Sequence, residues 1–250
     1  MENIKIINFN YDKEQINTLD KILKLSPKVI KKKLGWDDPY YQRMIRFFTK
    51  QKKNGYKVND NYKDKDNSRC FGKSTTLQNV DNKVLSILFS NNTYDIDMKN
   101  ASFKIIKHII DRDLKFDKDK YPLILDYADN RETFYTPLCD KQFFISSIYC
   151  ANPLFKIHVA NPKKVNDLLK ELANFQVVCN SNLHLWNLDF KEEHHKGQNL
   201  CKIVCYYENK ILQEIAGKFK EHIKFLKFDG FGISKNCDLE SVINEANICS

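Results

Sequence analysis

Two aspartates, Asp97 and Asp229, have the side-chain type and the setting that metal-dependent chemistry requires. Asp97 lies in an alternating apolar and polar segment, and Asp229 follows the mostly apolar residues 223–228 and precedes Gly230. Like charges about 4 Å apart repel by roughly 4 kcal/mol at an effective dielectric of 20, so paired carboxylates persist when a divalent cation lies between them. Two Mg²⁺ ions, or Mn²⁺ in their place, would then support in-line phosphoryl transfer. Taken singly, Asp97 fits a helix cap and Asp229 a turn.

The segments around these aspartates predict a small sheet. Residues 93–98 alternate between apolar and polar side chains and lead into helical spacing at 101–110, which indicates a strand followed by a helix. Residues 223–228 and 231–233 indicate a β-hairpin, in which Gly230 allows a tight turn. In a strand, Asp95 and Asp97 share one face, so Asp95 is a further candidate metal ligand.

Helical spacing dominates the rest of the sequence. Residues 14–52 contain two or three helical segments, and further helical patterns cover about 121–134, 138–150, 162–187 and 199–220. Residues 52–73 are almost wholly polar and indicate a mobile connection. The predicted fold class is therefore α+β, with a small antiparallel sheet under many helices.

The charge balance favours an anionic polymer as partner. The 250-residue chain has 41 Lys and Arg against 32 Asp and Glu, a net charge of +9, and cations that neutralise phosphates release condensed counterions. Because no run of 18 apolar residues occurs, no membrane span is expected. Eight cysteines without a CxxC pair, and a first segment without an apolar signal, indicate a reducing intracellular compartment. A zinc site at His194, His195, Cys201 and Cys205 is an alternative to an apolar helical face there.

Four short motifs follow one another between residues 69 and 233, over about two thirds of the chain. They are, in order, Ser68-Arg69 with Leu77-Gln78-Asn79; Tyr94 to Ala101, which reads YDIDMKNA; Lys141 with Ile145 and Tyr149; and Lys227 to Phe231, which reads KFDGF. In this order they resemble the motifs of the family A DNA polymerases, and more closely those of their short viral or mobile-element relatives.

The resemblance implies that Asp97 and Asp229 are the catalytic aspartates and bind two metal ions, with Asp95 bordering them. The family commonly has histidine before the second aspartate, and here Phe228 stands at that place. Ser102 matches the position next to the sugar of the nucleotide, where the family usually has glutamate. A serine there is smaller and offers a hydroxyl to a ribose.

A further part of the resemblance concerns the incoming nucleotide. Lys141 matches the lysine that neutralises the triphosphate, and Ile145 and Tyr149 match positions that pack against the nucleotide. A spacing of four places these three residues on one helical stripe. The arginine that the family usually has one turn before the lysine is replaced by Pro137, and Arg131 is the candidate that would supply the missing charge.

The same resemblance implies contacts with nucleic acid. Arg69, Gln78 and Asn79 would lie along the minor groove of a primer–template duplex. Tyr206 and Tyr207 lie in a predicted helix that would run along the template, where Tyr206 could stack on a base. Packing in the core is the alternative role for these tyrosines.

The resemblance also implies a polymerase palm with a small antiparallel sheet, helical fingers and a small helical N-terminal unit. We expect residues 1–58 to form that rudimentary, thumb-like unit and residues 59–75 to form the polar connection. Residues 76–250 would form palm and fingers, with the fingers at about 112–190. Because the N-terminal part is small for a thumb, low processivity or a processivity or replisome partner is expected.

The expected function is template-directed nucleotide transfer, with DNA synthesis from dNTPs on a primed template as the first hypothesis. An RNA polymerase or primase that uses NTPs is the alternative within the same chemistry. A polymerase-derived nucleic-acid-binding protein without catalysis is an alternative of a different class, suggested by Pro137 and by Cys150, which stands where the family has glycine. The expected location is the cytoplasm or a viral replication site.

Overall fold

The computed structural model describes residues 6–65, 69–72, 74–112, 117–227 and 230–249, with all their side chains except those of 64–65, 69–71 and 246–249. These residues form ten α-helices and two small antiparallel sheets, which confirms the α+β class. The strands are β1 Ile6–Asn10, β2 Lys57–Lys65, β3 Arg69–Gly72, β4 Thr93–Asp97, β5 Ile223–Leu226 and β6 Gly230–Ser234. The helices are α1 Lys13–Lys24, α2 Pro27–Leu34, α3 Asp38–Lys53, α4 Asn82–Phe89, α5 Ala101–Arg112, α6 Pro122–Asn130, α7 Lys141–Tyr149, α8 Lys163–Ser181, α9 Lys196–Lys218 and α10 Leu239–Cys249.

The chain divides into two compact units, each with its own apolar core. The first unit consists of Met1–Lys65, Cys70–Asp97 and Leu212–Cys249, and the second mainly of Met98–Ile211. The chain therefore enters the second unit directly after Asp97 and returns to the first within α9. The division expected at residues 58 and 75, and the palm-and-fingers organisation, stay predictions.

Both sheets belong to the first unit, apart from Arg69 at the start of β3. In one sheet, β2 is the central strand between β1 and β3. In the other, β6 is the central strand between β4 and β5. Strands β4 and β6 run antiparallel, with Thr93 opposite Ser234 and Asp97 opposite Gly230. The predicted strand at 93–98 is therefore confirmed. Strands β5 and β6 also pair antiparallel, with Leu226 opposite Phe231, as the predicted hairpin requires, and the turn between them lies outside the described residues.

Strand β2 lies in the segment that the sequence pattern indicated as a mobile connection. Val58, Asp60 and Tyr62 are buried at alternate positions, while Asn59 and Lys63 are exposed. This is the period of two that a half-buried strand requires. The pattern was concealed because Asp60 occupies a buried position, where an apolar residue is usual. The prediction of a mobile connection is therefore wrong for the residues of β2, Lys57–Lys65.

Helices α1 to α3 lie between residues 13 and 53, where the sequence predicts two or three helical segments at 14–52. Asp12 caps α1 and exchanges hydrogen bonds between side chain and backbone with Gln15, which is a capping box. Helix α1 packs against α3 and α4 in the first unit. Its buried Leu19 joins Met44 and Phe48 of α3 in the core of that unit.

The second unit is built from helices around a core of aliphatic and aromatic side chains. Helix α6 packs against α5 and α8, and α7 packs against α8. The core includes Ile106, Tyr127, Phe144, Leu168 and Ile203, one from each of α5 to α9. The helical patterns predicted between residues 101 and 220 therefore correspond to α5 to α9. No helix in the described part of the chain has the length and apolar character needed to cross a membrane.

Candidate functional site

Strand β4 ends at Asp97, whose side chain is exposed. Its register partner is Gly230, the first residue of β6. The backbone N–H of Lys227 donates to the carbonyl oxygen of Gly230 at 2.8 Å. Asp229, the second predicted catalytic aspartate, lies outside the described residues. Lys227 and Gly230, which flank that gap, are thus at the same end of the sheet as Asp97.

Gly230 is required by a close approach of two backbones. A Cβ atom added to Gly230 would lie 2.2 Å from the carbonyl oxygen of Ile96 and 3.1 Å from the Cα atom of Asp97. Any side chain at this position would therefore push β4 and β6 apart beside Asp97. The turn role that the sequence indicated for Gly230 stays a prediction, because residues 228 and 229 lie outside the described ranges. The contact with Ile96 is a requirement for glycine that appears only when the strands pair.

Asp95 and Asp97 are both exposed on one face of β4, as their spacing predicts. The ammonium of Lys227 lies 2.6 Å from Asp95 Oδ2, with the Lys227 side chain 19% exposed and that of Asp95 54% exposed. A pair this exposed contributes little to stability. It nevertheless neutralises Asp95, so Lys227 competes with any metal ion for that carboxylate.

The predicted metal site consists of acids that lie only partly within the described ranges. Those ranges contain no group of three or more His, Cys, Asp or Glu side chains placed to hold a metal ion. Asp229, the third acid of the predicted aspartate set, is outside them. The zinc alternative falls wholly inside them and is contradicted, although Cys201 and Cys205 lie on α9 with their Sγ atoms 4.0 Å apart.

Ser102 and Tyr149, both predicted to lie beside the nucleotide, meet in the second unit. Ser102 lies in the first turn of α5, Tyr149 ends α7, and their hydroxyl oxygens are 2.7 Å apart. Either hydroxyl can be the donor in this hydrogen bond. Burial raises the pKa of the Tyr149 hydroxyl, while the bond to Ser102 acts in the opposite direction. The phenol therefore stays neutral near pH 7.

The end of α7 that carries Tyr149 is held by two other helices. From α8, the buried amide of Gln176 donates to the carbonyl oxygens of Ile148, at 2.7 Å, and Cys150, at 3.0 Å. From α9, Gly197 packs so closely that an added Cβ atom would lie 2.1 Å from the carbonyl oxygen of Cys150. Carbonyls at a helix C-terminus lack partners within the helix, so Gln176 satisfies groups that would otherwise be unpaired.

The other predicted nucleotide contacts also lie in the second unit. Lys141 is the exposed first residue of α7, and Ile145 is half-buried one turn later. With Tyr149 they occupy positions i, i+4 and i+8 of one helix, so the predicted stripe forms. Arg131 lies in a 3-10 turn, where its Nε is 3.1 Å from Glu132 Oε1. Part of its charge is therefore offset by a neighbouring residue.

Gln78 and Asn79, predicted to contact a duplex, lie in the 3-10 turn Leu77–Asn79 of the first unit. Asn79 Oδ1 accepts from the backbone N–H of Thr76 at 3.1 Å, and Gln78 Oε1 accepts from that of Gly72 at 3.2 Å. Because a backbone N–H only donates, these bonds determine which way each amide faces. Asn79 is exposed, and within the described chain its Nδ2 donates no hydrogen bond, so its NH₂ group can serve an outside acceptor.

Asp60 anchors this turn, although no sequence motif pointed to it. Its side chain is 2% exposed, and its Oδ2 accepts from the Leu77 N–H at 2.7 Å. Burial raises the pKa of Asp60 from 3.8 to about 6, against the hydrogen bond from Leu77 and the influence of Tyr62, which both lower it. At the other end of the turn, the Tyr40 hydroxyl donates to the carbonyl oxygen of Asn79 at 2.9 Å.

Two further residues were expected to contact nucleic acid. Tyr206 on α9 is half-buried against the core of the second unit, with its ring centroid 5.4 Å from that of Tyr207. The Tyr207 hydroxyl accepts from the indole N–H of Trp186 at 3.4 Å. Both tyrosines thus take part in packing, which leaves Tyr206 only partly accessible. Arg69 lies in β3, and its side chain is not among those described.

No protein-family model matches this sequence, and no curated protein or solved structure is significantly similar to it. Its function is therefore inferred from the chemistry of these residues.

Proposed function

We propose that this protein is a template-directed nucleotidyltransferase that extends a nucleic-acid primer, with DNA synthesis as its principal reaction. The observation that carries the proposal is the pairing of β4 with β6, which sets Asp97 opposite Gly230, the sequence neighbour of Asp229. Carboxylates at one sheet end are suitable ligands for hard divalent cations. In this proposal the sheet formed by β4, β6 and β5 serves as the palm and the helical second unit serves as the fingers. The first helices, α1 to α3, form a thumb-like unit.

Asp97 and Asp229 would hold two Mg²⁺ ions, with Mn²⁺ as an alternative. The described acids fit a cation, because Asp95 and Asp97 are exposed on one face of β4 and Asp95 already binds the ammonium of Lys227. When bound, such ions stabilise the charge that develops on the attacking and leaving oxygens. Asp95 has an accessory role here, since Lys227 neutralises it.

The incoming nucleotide would be bound by side chains of the second unit. Lys141, exposed at the start of α7, would pair with the phosphates. Tyr149 offers an aromatic ring held by Gln176 and Gly197, and Ser102 offers a hydroxyl beside it. Because Ser102 and Tyr149 share a hydrogen bond, a change at either residue should move the other.

The Leu77–Asn79 turn would contact the primer–template duplex. Every base pair presents acceptors in the minor groove, so a hydrogen-bond donor there contacts all sequences alike. Asn79 meets this requirement, because its carbonyl oxygen is engaged by Thr76 and its NH₂ group can donate. The net charge of +9 adds attraction to the phosphate backbone that does not depend on sequence.

One observation favours RNA synthesis as a second candidate function. Ser102 stands at the proposed sugar position, with its hydroxyl 2.7 Å from that of Tyr149. Such a hydroxyl can hydrogen-bond to a ribose, whereas a bulky carboxylate side chain would leave less room for the 2′-OH. An RNA polymerase or primase that uses NTPs is therefore the alternative, and sugar discrimination decides between the two.

Primer extension in the presence of Mg²⁺ tests the proposal. Wild type should extend a labelled primer, and Asp97→Asn and Asp229→Asn should each abolish extension without weakening duplex binding, since they act on the metals. Asp38→Asn is the matched control, because Asp38 is a carboxylate of the same unit that is 69% exposed. Binding without extension by wild type would favour the catalytically inactive binding protein. Equal loss of binding and extension in both aspartate variants would contradict the metal assignment.

A further inference from the structure

Asp60 is a buried carboxylate that the proposed chemistry does not use. It is 2% exposed, and no ion pair among the described residues includes it. Burying a charge without a cation is costly, and a carboxylic acid in such a place tends to take up a proton. A buried carboxylate that persists despite this cost of burial is expected to have a specific role. The Asp60 carboxylate accepts a hydrogen bond from the Leu77–Asn79 turn.

Among the side chains that the structure describes, the titratable groups that interact with Asp60 are Tyr62 and Tyr11. Tyr62, buried two positions along the same strand, lowers the pKa of Asp60. Burial, together with the nearby charge of Asp60, raises the pKa of Tyr11 well above its ordinary value, and the Tyr11 hydroxyl donates to Gln51 of α3 at 2.9 Å. Tyr11 therefore stays protonated between about pH 5 and pH 8. Asp60 therefore changes charge in that range, whereas Tyr11 does not.

We propose that ionised Asp60 is a positioning residue that holds the Leu77–Asn79 turn in the form that presents Asn79 to a duplex, and that protonation of Asp60 loosens this turn. The proposal rests on the proposed function, in which Asn79 contacts the primer–template. The Leu77 N–H is at the start of the turn, where backbone donors lack partners within the turn itself. A hydrogen bond to a charged acceptor is roughly twice as strong as one to a neutral acceptor. The carboxylate thus holds the turn more tightly than the acid.

The geometry of the turn explains why Asp60 would affect Asn79. Asp60 anchors the first residue of the turn through Leu77, and the capping bond from Thr76 ties the last residue to the residue before the turn. Tyr40 adds a neutral anchor at the Asn79 carbonyl. Loosening the Leu77 end should therefore move the Asn79 amide, while the Tyr40 bond keeps the turn from unfolding.

The test is fluorescence anisotropy of a labelled primer–template DNA from about pH 5 to pH 8 at constant ionic strength. Wild-type affinity should fall about tenfold as the pH drops through about 6, the pKa of Asp60. Asp60→Asn is similar in size but neutral, so it should bind about tenfold more weakly at neutral pH and lack the step near pH 6. It should also resist urea better than wild type at neutral pH, because a buried charge is removed. Loss of both stability and binding would mean a merely structural role and would overturn the proposal.

Two control variants and one spectroscopic measurement sharpen the result. Tyr40→Phe removes a neutral anchor, so it should weaken binding at every pH and keep the step near pH 6. Asp38→Asn should keep both the affinity and the step. In wild type, the NMR resonance of the Leu77 amide should titrate near pH 6, which tests the anchor even if Asp60→Asn does not fold.

The outcomes separate this inference from the function on which it rests. A Leu77 amide that does not respond to pH near 6, or an Asp60→Asn profile equal to that of wild type, would overturn the role of Asp60 while primer extension stands. Wild-type protein that binds no primer–template at any pH would overturn the proposed function, and this role with it.

Discussion

Gly230→Ala tests whether the pairing of β4 and β6 determines the geometry of catalysis. The alanine Cβ atom would lie 2.2 Å from the carbonyl oxygen of Ile96, whereas ordinary contact begins at 3.4 Å. The two backbones would have to separate by the difference, about 1.2 Å, because a main-chain oxygen cannot rotate away as a flexible side chain can. This separation would occur beside Asp97, the register partner of Gly230.

The expected effects can be sized from that displacement. Overpacking of this kind typically costs about 1–3 kcal/mol, so the free energy of unfolding should fall by about 2 kcal/mol. A shift of about 1 Å at reacting groups can lower a rate about 100-fold, which is about 2.7 kcal/mol in activation free energy. We expect the rate of nucleotide addition to fall by about that factor. Affinity for primer–template should not change, because the contacts of the Leu77–Asn79 turn do not include Gly230.

The assay is single-turnover primer extension, with urea unfolding of the same preparations. Gly217→Ala is the matched control, because an added Cβ atom at Gly217 in α9 would meet no atom within 4 Å. In a helix, replacing glycine by alanine should raise the free energy of unfolding by up to about 1 kcal/mol. It should leave primer extension unaffected. A Gly230→Ala protein that adds nucleotides at the wild-type rate would refute the reasoning. So would equal losses of rate in both alanine variants.

The remaining predictions concern the incoming nucleotide, the sugar and the buried carboxylate. Lys141→Ala should raise KM for the nucleotide, measured by steady-state kinetics, more than it weakens primer–template binding. An unchanged KM with weaker duplex affinity would mean that Lys141 contacts the template and not the nucleotide. In wild type, kcat/KM for ribonucleotides should be within about 100-fold of that for deoxynucleotides, a difference of about 2.7 kcal/mol, and Ser102→Glu should increase this ratio. A wild-type ratio above about 10⁴ would exclude relaxed sugar choice. Folded wild type holds the Asp60 proton more tightly than the unfolded chain does, so wild type loses stability as that proton leaves. The free energy of unfolding of Asp60→Asn should therefore exceed that of wild type by an amount that grows by up to about 3 kcal/mol from about pH 4 to about pH 7. A constant difference in urea titrations across this range would contradict it.

Sequence periodicity was sufficient to predict the helices and strands that are long or that alternate strongly between apolar and polar residues. Helices α5 to α9, strand β4 and the β5–β6 hairpin follow from the recurrence of apolar residues at helical or strand spacing. Strands β1, β2 and β3, helix α4 and helix α10 were not predicted. Strand β2 has a carboxylate at a buried position, which hides its alternation, and the Leu77 N–H that satisfies this carboxylate is 17 residues away. A local window contains no sign of such a partner.

The candidate site divides in the same way. The stripe of Lys141, Ile145 and Tyr149 could be predicted, because a spacing of four places residues on one side of any α-helix. The hydrogen bond between Ser102 and Tyr149 joins residues 47 apart, and it exists because α5 and α7 pack in one core. The close approach of Gly197 to the end of α7 likewise depends on how α9 packs. Neither contact has a sequence spacing that reveals it.

The sequence by itself determined that Asp95 and Asp97 lie on one face of a strand, since successive side chains of a strand point to opposite faces. Only the tertiary structure decided that Asp97 stands opposite Gly230 and that Lys227 binds Asp95. Strand register is set by burying one face of the sheet, and a slip of one residue would turn the exposed aspartates toward the core. That constraint acts between segments more than 130 residues apart, so it depends on the packing of the whole unit and not on any local pattern.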